Sequence, residues 1–500
     1  MYLQNLISER ISQKNPVKVA LIGAGKFGSM FLSQIPTTSG IQVVAIADLS
    51  PDNAKKACKT VGWDDELISC TNFFESGKDV IELSEIEVVI EATGHPSAGI
   101  EHARHSFKHG KHIIMVNVEA DVLAGGLLAK EAKSAGVVYS MAYGDQPALT
   151  AEIIDWARSA GFYVSSAGKG TKYLPEYHKS TPDTVWNYYG ISNNEAKEAG
   201  MNSKMFNSFL DGTKSSLEMA AIANACELSV PKNGLLFPPC GMDDLSSILK
   251  PKISGGILTE NGQVEVVSSL ERDGRPVFKD LRWGVYAVLQ APNDYAASCF
   301  KQYGMNTDES GEFSAMYKPF HLIGMELNIS VFSAALLNQP TGQTKTFAGD
   351  VVATAKRKLK KGETLDGEGG STVWGKLIPS RTSLSIGALP IGLAHNIKLN
   401  KNIDEDQLIS WNDVMDQKYG PIGSVKRDEF EENARAFRIG EMLKDERKKA
   451  NLTQAELAER SGTKKSYISR IERGLSDIQL STYYRIVTKG LGKKLKIEIE

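Results

Sequence analysis

The sequence predicts an α/β protein: a parallel sheet at the front, a mixed α+β region in the middle, a small β-rich stretch and an all-α tail. Three observations carry that prediction. An apolar strand, Val17-Lys-Val-Ala-Leu-Ile, runs into Gly23-Ala-Gly25-Lys26-Phe27-Gly28 and then into a helical pattern. Asp48 closes the next apolar strand, 20 positions after Gly28. Near the other end, a capped helix, a glycine turn and a second helix with a polar outer face follow one another between Thr453 and Glu472.

Each glycine at the front has a mechanical reason. Gly23 permits a tight turn, Gly25 lets backbone amides approach a pyrophosphate, and Gly28 lets helix and strand pack closely. Lys26 and Phe27 ride on the same loop, and the helix N-terminus stabilises phosphate charge. Asp48 is placed to bind ribose hydroxyls, as NAD would require; Lys55 and Lys56 keep NADP open. Before the first strand, residues 3–14, Leu3-Gln-Asn-Leu-Ile-Ser-Glu-Arg-Ile-Ser-Gln-Lys14, have helical apolar spacing and read as a short amphipathic helix packed outside it. Val88-Val-Ile-Glu-Ala-Thr93-Gly94 is a buried strand with a turn, His102 to Lys108 belong to a helix, and His112-Ile-Ile-Met-Val-Asn117 is the next strand. Short connections between strand, helix and strand give parallel pairing with right-handed crossovers. The ligand then sits at the carboxyl ends, near Gly23 to Gly28, Thr93, Gly94, Asn117 and Glu119.

From about 146 the pattern turns to longer helices and glycine- and proline-rich stretches, where a substrate domain belongs. Asp145, Lys169 and the run Asp211-Gly-Thr-Lys214-Ser-Ser-Leu-Glu218 concentrate polar groups. A helix over that run sets Asp211, Lys214 and Glu218 on one face, which suits either a catalytic cluster or a solvated ion-pair ladder. Residues 344–413 carry short β segments with glycine turns, Gly349-Asp-Val-Val-Ala-Thr-Ala among them. The polar stretch 415–430 reads as a linker.

In the tail, Phe437 to Ala450 form a first helix and Thr453 with Glu456 a capping box for the second. Ser461-Gly462-Thr463 turn the chain into the third, where Ile468 and Ile471 face inward. Gln454, Lys464, Lys465, Ser466, Ser469 and Arg470 face outward, placed for phosphates and base edges of double-stranded DNA. A helical bundle used only for dimerisation has the same core pattern.

With 500 residues, the chain is too long for one core. No apolar run reaches the roughly 18 residues a spanning helix needs, and no signal-peptide pattern opens the chain, so no membrane role and a cytoplasmic location are expected. The five cysteines are scattered, without zinc or redox spacing. No metal ligand set is fixed by sequence; a divalent metal held by Asp211, Glu218 and Asp145 stays open. Residues 423–500 hold 18 Lys+Arg against 13 Asp+Glu, leaving 40 against 47 of the chain's 58 and 60 for the body. A basic tail on an acidic body fits a tail that alone approaches phosphates.

Residues 1 to about 413 resemble oxidoreductases with a homoserine-dehydrogenase-like N-terminal domain and a C-terminal SAF domain, the group that includes the deoxyxylulose-phosphate reductoisomerase-like proteins. The resemblance rests on Gly23 to Gly28, Glu91-Ala-Thr-Gly94, Asn117-Val-Glu-Ala-Asp121, Tyr143-Gly-Asp-Gln-Pro147, Ala167-Gly-Lys-Gly170, Asp211-Gly-Thr-Lys214, Tyr317-Lys-Pro-Phe-His321, Lys360 to Gly370 and Leu389 to His395. The tail from about Trp411 resembles XRE-type antitoxins of the HigA kind, through Asp416 to Phe430, Leu452-Thr-Gln-Ala-Glu-Leu-Ala, Lys464-Lys-Ser-Tyr-Ile-Ser-Arg-Ile-Glu and Lys493-Lys-Leu-Lys-Ile-Glu-Ile.

Together the resemblances imply the following α/β organisation. A Rossmann-type domain covers 1–145, a central α+β substrate domain 146–343, a SAF-like module 344–413, a linker 414–430 and a helix-turn-helix domain 431–500. They imply NAD or NADP as cofactor, a small carbohydrate acid, polyol or sugar phosphate as substrate, an operator DNA, a toxin partner and a homodimer. Lys214 then lines the substrate cleft. Lys214 or Lys169 is the expected proton-transfer or oxyanion group, with an ammonium pKa lowered by burial, and Asp211, Glu218 and Asp145 are its orienting partners. His321 is a weaker candidate. The competing reading is a transcriptional regulator whose oxidoreductase-like part senses a cofactor or metabolite; a third is a fusion without coupling.

Overall fold

The computed structural model describes residues 3–414, 439–440, 443–444, 446–447, 450–473 and 479–495. The expected linker over 415–430, most of the first tail helix and the end of the closing strand lie outside the described residues. The chain forms two compact units, Met1–Val414 and Met415–Glu500.

In the first unit, β1 (Val17–Ile22), β2 (Ile41–Ala47), β3 (Asn72–Phe74), β4 (Val88–Glu91), β5 (His112–Met115) and β6 (Tyr139–Met141) form one sheet in the order β3-β2-β1-β4-β5-β6. Every pair in it is parallel. Buried on both faces, β1 and β4 are near-continuous apolar runs, broken only by half-buried Lys18 and by Glu91, as parallel strands favour. Helices α1 (Leu3–Ser12), α2 (Lys26–Gln34), α3 (Pro51–Thr60), α4 (Asp65–Ser69), α5 (Gly77–Glu82), α6 (Pro96–Lys108) and α7 (Val118–Ala135) accompany the sheet. The expected N-terminal helix is α1, and its Ile7 joins the core that holds Val17 and Val19. Leu327, Val331, Phe332 and Ala334 return to that same core from the far side of the central region.

A second sheet, in the order β10-β9-β7-β8, comprises β7 (Tyr163–Thr171), β8 (Gln263–Ser268), β9 (Val285–Gln290) and β10 (Phe313–Lys318). In the chain, α8 (Gln146–Ser159) precedes β7, and α9 (Val185–Tyr189), α10 (Asn193–Glu198), α11 (Ser203–Leu210) and α12 (Thr213–Cys226) lie between β7 and β8. Every residue of α12 except Lys214 is buried. A helix enclosed on all sides needs no amphipathic stripe, and its one long polar side chain is therefore aimed with little freedom.

Two small antiparallel pairs complete the unit: β11 (Gly349–Ala355) with β13 (Val373–Pro379), and β12 (Thr364–Asp366) with β14 (His395–Lys398). Gly375 in β13 is required where Thr213 of α12 crosses it, since a Cβ there would stand 2.8 Å from the Thr213 methyl. None of the described helices is long and apolar enough to cross a membrane.

In the second unit, the capping box of Thr453 and Glu456 opens the helix Gln454–Ser461, Gly462 ends it at φ +63°, and Lys464 precedes the helix Lys465–Glu472. Ile468, Ile471, Leu457 and Ile486 form the core. Buried Glu472 binds the Arg447 guanidinium through both carboxylate oxygens at 2.6 and 3.0 Å and accepts a third bond from the Gln454 amide at 2.7 Å. Gln454 therefore directs one of its two amide N–H donors inside the unit.

Candidate active site

The cofactor end is built from the loop between β1 and α2. Gly23 adopts φ +98°, and a Cβ there would lie 2.7 Å from the Ala92 carbonyl oxygen. A Cβ on Gly28 would lie 2.3 Å from the Gly23 carbonyl oxygen, whereas one on Gly25 would meet nothing within 4 Å. Gly25 is also the N-cap of α2 and supplies no side chain to its first amides. Open space in front of free helix N-terminal amides suits a pyrophosphate. Lys26 is exposed and Phe27 half-buried beside it. Asp48 accepts from the Ala24 amide at 2.9 Å and the Ser50 amide at 3.0 Å, which fixes its carboxylate at the end of β2.

Thr93 and Gly94, both exposed, follow β4. The Thr93 hydroxyl donates to fully buried Glu91 at 2.5 Å, and the second Glu91 oxygen has no partner. Asn117 caps α7 by accepting from the Ala120 amide at 3.0 Å, while its buried amide nitrogen is unpartnered.

Glu119, expected with the cofactor, instead accepts from Lys214 at 2.7 Å. That bond ties the first turn of α7 to the first turn of α12, so the cofactor end and the central region meet at this pair. Lys214 also feels Glu218, Asp145 and Glu368. Lys169 on β7 is ion-paired to Glu218. Two ammonium groups thus share one enclosure with four carboxylates.

The electrostatics correct one expectation. Burial pulls the Lys214 pKa down, as expected, but Glu119, Glu218, Asp145 and Glu368 together outweigh it, and the pKa is raised. Lys214 is a fixed cation at neutral pH. Two acids of the enclosure titrate nearer neutrality: burial and then Glu218 push Asp145 up to about 6. Burial and then Glu119 push Glu368 up to about 8.

A second correction concerns Asp211. It lies outside α12, because Gly212 at φ +88° is the N-cap of that helix, so it does not share a face with Lys214 and Glu218. Its carboxylate accepts from Lys356 at 2.7 Å, both groups fully buried, and Lys356 also donates to the Ser180 and Gly370 carbonyls at 2.6 and 2.7 Å. The pair clamps the loop that carries Glu368. Ser208 donates to Glu368 at 2.6 Å and Asn207 to the Gly369 carbonyl at 3.0 Å, so α11 completes the clamp. The sequence singles out neither Glu368 nor Lys356 as a site residue; Glu368 lies in the glycine-rich run Lys360 to Gly370 that carries the SAF-like resemblance.

His321 is half-buried, with Nδ1 2.7 Å from the Trp283 carbonyl, and close enough to Asp145 to lower its pKa slightly against the dominant burial. Among the described residues, Asp145, Glu218 and Asp211 do not bring three ligand atoms together for a metal. In the second unit, Lys464, Lys465, Ser466 and Arg470 are exposed and Ser469 half-buried on the helix after the turn.

Comparison with known proteins finds three family models that match parts of the chain. Residues 17–143 match a family model described as oxidoreductase family, NAD-binding Rossmann fold. Residues 144–327 match oxidoreductase DRL, catalytic domain, and residues 443–489 match a helix-turn-helix. No curated protein matches the chain. Similar solved structures include levoglucosan dehydrogenase in complex with NADH, at 23% identity and TM-score 0.24 over 33% of this chain and 46% of that one. Scyllo-inositol dehydrogenase from Lactobacillus casei with NAD(H) and scyllo-inositol is 14% identical, TM-score 0.25, over 35% and 49%. A mutant 3-ketoreductase from Actinomadura kijaniata in complex with TDP-benzene and NADP is 16% identical, TM-score 0.24, over 32% and 48%. The chain spans about half the length of such structures. Its dinucleotide site is one for NAD or NADP, and an oxidoreductase region is joined to a helix-turn-helix in one chain.

Proposed function

We propose that the chain is an NAD(P)-dependent oxidoreductase acting on a neutral polyol or sugar, with a tail that binds double-stranded operator DNA. The observation that carries the first part is the enclosure around Lys214, next to the dinucleotide loop's end of the sheet. When bound, the nicotinamide supplies or accepts the hydride. Lys214, held cationic by Glu119, stabilises negative charge as it develops on the substrate oxygen. Asp145, with its pKa near 6, takes or returns the hydroxyl proton. Glu368, protonated at neutral pH, donates a hydrogen bond to a neighbouring substrate oxygen. With Glu368 protonated, three carboxylates still face two lysines, which favours hydroxyl groups over a phosphate or carboxylate. Among the carbohydrate classes implied by the sequence, an uncharged polyol or sugar therefore fits better than a sugar phosphate or sugar acid, and plain dehydrogenation better than reductoisomerisation. Asp48, anchored by two amides, supports NAD over NADP.

The tail reading is supported by the exposed Lys464, Lys465, Ser466 and Arg470 on a helix whose inner face is locked. A dimeric, antitoxin-like repressor is the form of that reading the tail's resemblance favours, with a toxin as partner. The test of the enzyme is cofactor turnover by the full-length chain with neutral polyols, sugar acids and sugar phosphates in parallel. Turnover with a neutral member supports the proposal. If cofactor binds without turnover of any substrate and instead shifts operator binding, the sensor reading replaces it.

A further inference from the structure

We infer that Glu82, His105 and His109 form a site for one divalent transition-metal ion of the zinc class. The last residue of α5 is Glu82, and α6 presents His105 with His109, its C-cap, four positions on. Residues four apart share a helix face, so both imidazoles lie on the side that meets Glu82. One ligand atom from each of the three lies within 4.8 Å of the other two, and no other such group occurs among the described residues. His105 Nε2 stands 3.0 Å from Glu82 Oε1, and the two rings are 4.6 Å apart, tilted by 48°. Independently, His109 Nε2 is buried without a hydrogen-bond partner.

Two half-buried imidazoles beside one carboxylate leave a nitrogen unsatisfied unless a cation is shared between them. Two imidazoles and a carboxylate are the donor set of three-ligand zinc sites, where water fills the open position. Imidazole selects zinc, nickel or copper over magnesium and calcium. The carbonyl end of α6 adds negative potential at the same place. Because its ligands come from two helices, a bound ion staples α5 to α6. The site shares no residue with the enclosure around Lys214, so the inference stands apart from the proposed activity.

The test is titration of metal-free full-length protein with Zn²⁺, and separately with Co²⁺ and Mg²⁺. One equivalent of Zn²⁺ should bind and raise the unfolding temperature, Mg²⁺ should not compete, and the Co²⁺ spectrum should lack a thiolate charge-transfer band, which separates this site from the exposed Cys70. His105→Ala/His109→Ala should abolish that equivalent. Glu82→Ala, at an exposed carboxylate, should weaken it by at least about tenfold, the lower end of what even outer-shell partners are worth. Binding that is absent, unchanged in these variants or thiolate-coordinated overturns the inference.

Discussion

The Lys214 ammonium lies 2.7 Å from the Glu119 carboxylate, joining two helices whose residues are 95 positions apart in the chain. Through that pair the start of α7, at the carboxyl end of the dinucleotide-binding sheet, fixes the one polar side chain of α12 that escapes burial. The neighbouring Asp211–Lys356 pair makes other contacts: the Lys356 ammonium also donates to the Ser180 and Gly370 carbonyls.

Lys356→Ala should destabilise the first unit by about 3–5 kcal/mol, since it leaves Asp211 charged and buried without its partner. Calorimetry would show a lower unfolding temperature. Asp211→Asn/Lys356→Met should recover much of the loss, and recovery of stability without full activity would mark the pair as positioning the Glu368 loop.

The glycines of the dinucleotide loop should respond in opposite ways. Gly25→Ala should fold normally, because the new methyl meets nothing within 4 Å, yet weaken cofactor by at least about tenfold, roughly 1.4 kcal/mol, by filling the phosphate's space. Gly28→Ala should lower stability by about 1–3 kcal/mol, since its methyl would stand 2.3 Å from the Gly23 carbonyl oxygen. Thermal melts and cofactor titration on the same two proteins separate the effects.

Activity should follow a bell against pH. Asp145, raised to about 6, must lose its proton, so the rate rises as pH climbs through 6. Glu368, raised to about 8, must keep its proton, so the rate falls as pH climbs through 8. In Glu368→Gln the alkaline limb should vanish; a persisting limb at 8 would assign it elsewhere.

Much of this was legible in the sequence, and the exceptions have physical causes. The strand, glycine loop and Asp48 are legible because residue type and spacing within the first fifty positions announce them, whatever the range of the contacts they go on to make. The Asp211-to-Glu218 spacing misled because Gly212 takes the left-handed conformation and starts the helix after Asp211. Lys214 carries a raised pKa because Glu119, Asp145 and Glu368, from distant segments, join Glu218 of its own helix around it, and spacing assigns only Glu218 to it. Glu368 was hidden for the same reason, reaching the site through a contact with Ser208 that spans 160 positions. Strand β13 escaped notice because Gly375 interrupts its apolar run to admit Thr213.

In the second unit, Lys465→Ala should weaken operator binding across sequences and reduce the salt slope by about 1, as one lost phosphate contact predicts. Arg470→Ala should weaken it too, and both variants should keep full turnover. Binding assays at two salt concentrations, with a turnover assay beside them, check this.

Cofactor turnover and cofactor affinity measured together in Lys214→Ala bear most directly on the central claim, that the Lys214 enclosure is the seat of hydride-transfer chemistry. Turnover should fall by about 100-fold or more, the scale of losing one oxyanion donor, while cofactor affinity stays near that of the unaltered protein. Turnover within a few-fold of the unaltered protein, with affinity intact, would contradict it.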